Sequence, residues 1–260
     1  MKNTLLLFYI YIFALNPVFG EDELPVVKEE NRIKVTYEDP AVQAATPFGK
    51  IDPPGPASIR YAPSRVVKGG SVTLTCTVES SGPQDNVSYI WYRGSHVLTD
   101  VTQSVYIISS ASLKTRNNFS CAAQNEGGTG AEATVFVDVY APPVFKMKPP
   151  TYYSVLYNSK HISLNCIVEC YPECAIVWYK DGIKLNIEHN PLYTVETRYL
   201  PSNQQVNDFE SIYSTLIWNM TAWPVNMLDY TNYTCQSTSN IAGVGISSTT
   251  EIAVDYNNRQ

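Results

Sequence analysis

The chain has 260 residues, room for two ordinary domains and some tail, and a formal charge of −6. Its 18 Lys and Arg are scattered without a cluster, which argues against nucleic acid or an anionic membrane surface as a partner. Six cysteines, an even number, point to a disulfide framework formed in an oxidising compartment.

Residues 4–15 form an apolar block behind Lys2, and Val18-Phe19-Gly20 places small residues where a leader is cut. Residues 1–20 therefore read as a secretory signal peptide. Asn16-Pro17 stops the run short of a membrane span. Beyond Gly20 no stretch approaches 18 apolar residues, and Val254-Asp-Tyr-Asn-Asn-Arg-Gln260 is polar, with 257–260 as its tail. It carries neither a span nor a lipid-anchor signal. The expectation is a secreted, extracellular product, at the cell surface only if this is a truncated form of a membrane receptor.

Residues 21–56 hold eight acids against four bases, six prolines and no cysteine, which predicts a mobile acidic segment. Within it Ile33, Val35 and Tyr37 alternate like a strand face. That run is either transient β structure or the stub of another domain.

Two Cys…Trp…Cys registers follow: Cys76, Trp91 and Cys121, then Cys166, Trp178 and Cys235. Each first cysteine closes an alternating run, Ser71-Val-Thr-Leu-Thr-Cys76 and His161-Ile-Ser-Leu-Asn-Cys166. Each last one closes a matching tetrapeptide, Asn118-Phe-Ser-Cys121 and Asn232-Tyr-Thr-Cys235. A disulfide between two facing sheets, with an indole packed against it, needs this order of residues.

The sequence here resembles the immunoglobulin superfamily over roughly residues 57–256. Gly69-Gly70 ahead of the first register, the Lys180-Asp-Gly182 turn, and Asn125 and Asn240 after the last cysteines all fit. The joints Tyr61-Ala-Pro63 and Tyr140-Ala-Pro-Pro143 look like those of tandem adhesion domains. The whole is similar to invertebrate adhesion receptors of the nephrin and echinoid type. The resemblance implies an all-β chain of two tandem immunoglobulin-like Greek-key sandwiches, domain 1 at 57–141 and domain 2 at 142–256. Of the 15 pairings open to six cysteines, the repeated register selects Cys76–Cys121 and Cys166–Cys235 and leaves Cys170 with Cys174.

Only 30 residues separate Trp91 from Cys121, room for one short segment and a strand at Ser104-Val-Tyr-Ile-Ile108. In domain 2 the gap is 57 residues, so an insertion around Pro191–Asp208 is expected as a surface loop ahead of a strand at Ser214-Thr-Leu-Ile-Trp218. Domain 2 keeps a tyrosine corner, with Tyr233 two residues before Cys235 and Asp229 six before it; domain 1 has Phe119 and Thr115 instead.

Alternation places Cys170 and Cys174 on the core side of adjoining strands, so their bond clasps the turn between them. A loop so short adds only about 2 kcal/mol against about 4 for each long bridge, so the clasp serves loop shape more than stability. Four sequons, at Asn86, Asn118, Asn219 and Asn232, are candidate glycosylation sites. On the sheet of Trp91 and Cys121, outward-pointing Ile90, Tyr92 and Phe136 form a candidate binding patch. The glycines of Gly127-Gly-Thr-Gly130 lie between two strands and suit a hairpin rather than a phosphate cradle.

No nucleophile, metal or cofactor motif accompanies His96, His161 and His189, so no enzyme, metal or cofactor is expected. The reading is an extracellular protein–protein recognition module, foremost in cell adhesion through contact with other cell-surface or extracellular proteins, homophilic or heterophilic. A soluble immune or decoy binding protein is the alternative.

Overall fold

Eighteen strands and a single short 3-10 turn carry the described residues of a computed structural model, namely 51–80, 86–156, 159, 161–219 and 231–255. The expected leader, the alternating run at Ile33–Tyr37, Asp229 and the polar tail lie outside them. Strands β1 (Ala57–Ala62), β2 (Val66–Val67), β3 (Val72–Val78), β4 (Ser88–Arg93), β5 (His96–Leu98), β6 (Val105–Ile108), β7 (Asn117–Asn125), β8 (Gly128–Thr129) and β9 (Ala133–Val137) build the first sandwich. One sheet runs β1-β3-β6; its partner runs β5-β4-β7-β8, with β9 also on β7.

Strand β10 (Val139–Met147) crosses from one sandwich to the next without a break. Val139 and Tyr140 pair in parallel with β2, while Ala141 to Met147 pair antiparallel with the second sandwich. That sandwich adds β11 (Tyr152–Leu156), β12 (Ser163–Tyr171), β13 (Ile176–Lys180), β14 (Ile183–Lys184), β15 (Tyr193–Leu200), β16 (Ser211–Trp218), β17 (Thr231–Ser237) and β18 (Ser247–Asp255). Its sheets are β15-β16-β12-β10-β2 and β11-β18-β17-β13-β14. Both sandwiches belong to one compact unit.

Alternation in the sequence becomes burial in the core. Val72, Leu74 and Cys76 of β3 face Trp91, Phe119 and Cys121, and the Trp91 indole donates to the Gln103 carbonyl at 2.8 Å. In the second sandwich Leu164, Cys166 and Val168 face Trp178 and Cys235, and the Trp178 indole donates to the Ser214 hydroxyl at 3.0 Å. Burying each large apolar side chain contributes about 1.5–3 kcal/mol. Disulfides join Cys76 to Cys121, Cys166 to Cys235 and Cys170 to Cys174.

Two sequence expectations change. The insertion is not a loop throughout, because Tyr193–Leu200 forms β15 and pairs with all of β16. Its Thr, Glu and Arg letters disguised a strand buried on one side at its start and open at its edge. Residues 51–56, expected in the mobile acidic segment, lie along the β7–β8 hairpin: the Asn125 amide donates to the Asp52 carbonyl at 2.9 Å and Gly55 N–H to the Ser80 carbonyl at 2.9 Å. A Cβ on Gly127 or Gly130 would strike the backbone of Ile51 or Gly55, which is why that hairpin is glycine-rich.

The expected tyrosine corner of Tyr233 and Asp229 lies partly outside the described residues. Among the described residues the Tyr233 hydroxyl meets side chains, accepting from the Trp218 indole at 3.2 Å and bonding the Tyr193 hydroxyl at 2.9 Å. Burial and then the Tyr193 bond push its phenol far above the ordinary value. Phe119 fills the corresponding place in the first sandwich, fully buried against Tyr106.

Candidate recognition surface and the joint behind it

The outward patch forms on the sheet of β5, β4, β7 and β9. Trp91 points inward, so its neighbours Ile90 and Tyr92 turn out and are half-buried. Val137 and Val139 are fully buried, which leaves Phe136 outside at 53 % exposure. Val97, missed in the sequence because β5 is only three residues long, pairs with Tyr92 and is also 53 % exposed. Between these side chains runs β7, where Ser120 pairs with Tyr92 and Asn118 pairs with Phe136. The sequon asparagine Asn118 therefore stands on the same face, beside Phe136.

All four sequon asparagines, Asn86, Asn118, Asn219 and Asn232, are exposed. Asn118 and Asn232 hold the same position on β7 and β17, turned away from the core. His96, His161 and His189 are exposed and lie on separate segments.

At the tip of the second sandwich, Cys170 and Cys174 are buried and the Cys174 N–H donates to Cys170 Sγ at 3.2 Å. The clasped turn and the open end of the β15–β16 hairpin enclose a cleft of about 430 Å³. Pro172, Tyr199, Leu200 and Pro201 wall it and Ile212 lies at its base. A hydrogen bond to Glu173 pushes the Tyr199 phenol above its ordinary value.

Behind that cleft lies a joint that sequence reasoning missed. From the β15–β16 hairpin, residues 201–210 reach the first sandwich, and Phe209 is fully buried in the core of Trp91 and Leu113. The Asn207 side chain accepts from Leu113 N–H at 2.8 Å. Glu169, only 5 % exposed, accepts from the Lys68 ammonium at 2.7 Å and from Phe209 N–H at 2.9 Å. Arg116 forks onto Glu210 and stacks over the Tyr171 ring, 4.4 Å from its centre.

At the chain crossing itself, the Asn240 amide donates to the carbonyls of Ala141 and Pro172, and Arg65 donates to the Ile241 carbonyl. These bonds add to those that brace the angle between the sandwiches. Nothing in the letters marks Phe209 as a plug; it is one aromatic in a polar stretch, and only the tertiary fold gives it a socket.

Residues 56–139 match the immunoglobulin domain family. Lachesin of Schistocerca americana is 31% identical over 135 residues, covering 50% of this chain and 37% of the relative. Protein sidekick-1 of Homo sapiens is 28% identical over 150 residues, covering 56% of this chain and 6% of the relative. The chain thus spans well under half the length of these relatives. Among solved structures, the N-terminal eight Ig domains of Down Syndrome Cell Adhesion Molecule match with a TM-score of 0.50 at 17% identity, over 77% of this chain and 25% of that one. Both sandwiches are organised around a cysteine pair and its tryptophan, and the first of them, residues 56–139, is the one that matches the immunoglobulin domain family.

Proposed function

We propose that the chain is an extracellular protein–protein recognition module acting in cell adhesion, with sandwiches at residues 57–141 and 142–256 as its two domains. The observation that carries this reading is the apolar patch of Tyr92, Val97 and Phe136 on an open sheet face, held on a two-domain body whose angle is fixed. Solvent-facing aromatic and aliphatic side chains at the centre of a polar rim are what protein interfaces use. Three disulfides suit an oxidising compartment, and with the sequons they support secretion. Among the described residues no helix is long and apolar enough to cross a membrane. The similarity to sidekick-1 and lachesin favours partners that are themselves cell-surface or extracellular proteins.

Bead aggregation by the secreted protein tests this, alone and mixed with beads carrying candidate ectodomains. Tyr92→Ala and Phe136→Ala are expected to weaken capture tenfold or more while circular dichroism stays unchanged. Capture unaffected by both substitutions removes this face from the reading.

A further inference from the structure

Among the described residues strand β15 ends its sheet and pairs with β16 alone. Its eight residues run in unbroken register from Tyr193↔Trp218 to Leu200↔Ser211, without proline or bulge. From Glu196 to Leu200 every residue is exposed. Proteins blunt such edges with prolines, bulges or inward charges, because open N–H and C=O groups template pairing with another strand. This edge instead carries two opposite charges, Glu196 and Arg198, which meet within the chain only at 3.8 Å with both side chains more than half exposed. A pair that exposed contributes little to folding.

Register tells which backbone groups are free. Asn219 N–H donates to the Leu192 carbonyl at 2.9 Å, and bonded and non-bonded pairs alternate along an antiparallel ladder. Residues 194, 196, 198 and 200 therefore turn their backbone groups toward β16. Those of Val195, Thr197 and Tyr199 point off the sheet.

We propose that β15 is a self-recognition edge, to which a second copy of this chain adds its own β15 antiparallel about a twofold axis at Thr197. Thr197 then meets Thr197 of the second copy, and Val195 meets its Tyr199 on either side. All three pairs join edge-facing groups and each makes two hydrogen bonds. Glu196 falls opposite Arg198 of the second copy, and Arg198 opposite its Glu196. These are non-bonded pairs, where side chains across a ladder stand closest and unlike charges stabilise. A slide of two residues is the smallest that keeps free groups opposed. One direction sets Glu196 against Glu196, and the other sets Arg198 against Arg198. Charge thus selects one register out of those the backbone allows. On the opposite face Tyr199, 66 % exposed, covers Val195 of the second copy beside the cleft of Pro172, Leu200 and Pro201.

This contact uses neither β4 nor β9 and requires no adhesion role, so sedimentation of the soluble secreted chain tests it by itself. The wild type dimerises at micromolar concentrations, as suits a small contact. Glu196→Arg and Arg198→Glu each oppose like charges and weaken the dimer by about tenfold or more. The two combined restore unlike pairs and recover most of the affinity. Thr197→Pro removes a free N–H rather than a sheet bond, so it abolishes the dimer while circular dichroism stays unchanged. A wild type that remains monomeric at about 0.1 mM overturns the proposal, since that is weaker than any specific pairing needs. Single reversals without effect overturn it too, as does a double variant no better than the singles.

Discussion

Arg116 and Glu210, 94 positions apart in sequence, grip each other in a fork of 2.6 and 3.1 Å across the joint between the sandwiches. Burial lifts the Glu210 pKa, but the hydrogen bond and charge of Arg116 outweigh it and hold the carboxyl below the ordinary value. A depressed carboxyl contributes stability in full above its ordinary pKa and loses it as pH falls through the folded value. The joint should therefore be tight at neutral pH and loosen below about pH 4. Inter-domain energy transfer measured against pH checks this. Arg116→Ala should abolish that acid step and cost about 1 kcal/mol, because the pair is partly exposed. An identical acid step in Arg116→Ala would assign it to another group.

Phe209→Ala should destabilise the first sandwich although the residue belongs to the second. Its ring is fully buried among Trp91, Leu113 and Phe119, so truncation opens a cavity costing about 3 kcal/mol or more. Denaturant unfolding followed at Trp91 should show an earlier midpoint, with the second sandwich shifted less. Equal shifts in both would mean that the plug is part of one common core rather than a tie between two.

Tyr233→Phe removes the acceptor of the Trp218 indole and leaves that buried N–H unpaired, at a cost of about 1–3 kcal/mol. Tyr193→Phe should cost less through this network, since Tyr233 still accepts from Trp218. Urea unfolding of both variants gives the order, and the reverse order would place the principal hydrogen bond at Tyr193.

Asn118→Gln should expose the patch more fully. Asn118 itself stands directly across the ladder from Phe136 and one row from Tyr92, so a glycan attached there would overhang the patch. Protein lacking that sequon is expected to aggregate beads several-fold more readily, with Asn232→Gln as the matched control on the other sandwich. No difference between the two variants would mean that sugar at Asn118 leaves the patch accessible.

The parts legible in the sequence are those written in short periods. Cys76, Trp91 and Cys121, and their counterparts, each sit in an alternating run, and alternation dictates which side chains meet inside a sandwich. The outward turn of Phe136 was legible for the same reason, through Val135 and Val137. What escaped depended on partners far along the chain. Phe209 finds its socket in residues near Leu113, and Glu169 looks like a solvent-side strand residue until Lys68 arrives beside it. Val195 and Thr197 gave too few apolar letters to mark β15 as a strand, because its outer positions have no neighbour to pack against.

Strand β10 leaves no residue between the sheets it serves, since Tyr140 bonds β2 and Ala141 begins the pairing with β12. Domains strung on a slack connector lose hinge freedom each time both touch one target, and that loss weakens the complex. Here the freedom is given up once, during folding. Any ligand that contacts both sandwiches meets a surface already set at its final angle, so its affinity reflects the contacts alone. A target whose two epitopes do not match that angle engages one sandwich at a time and gains nothing from the second.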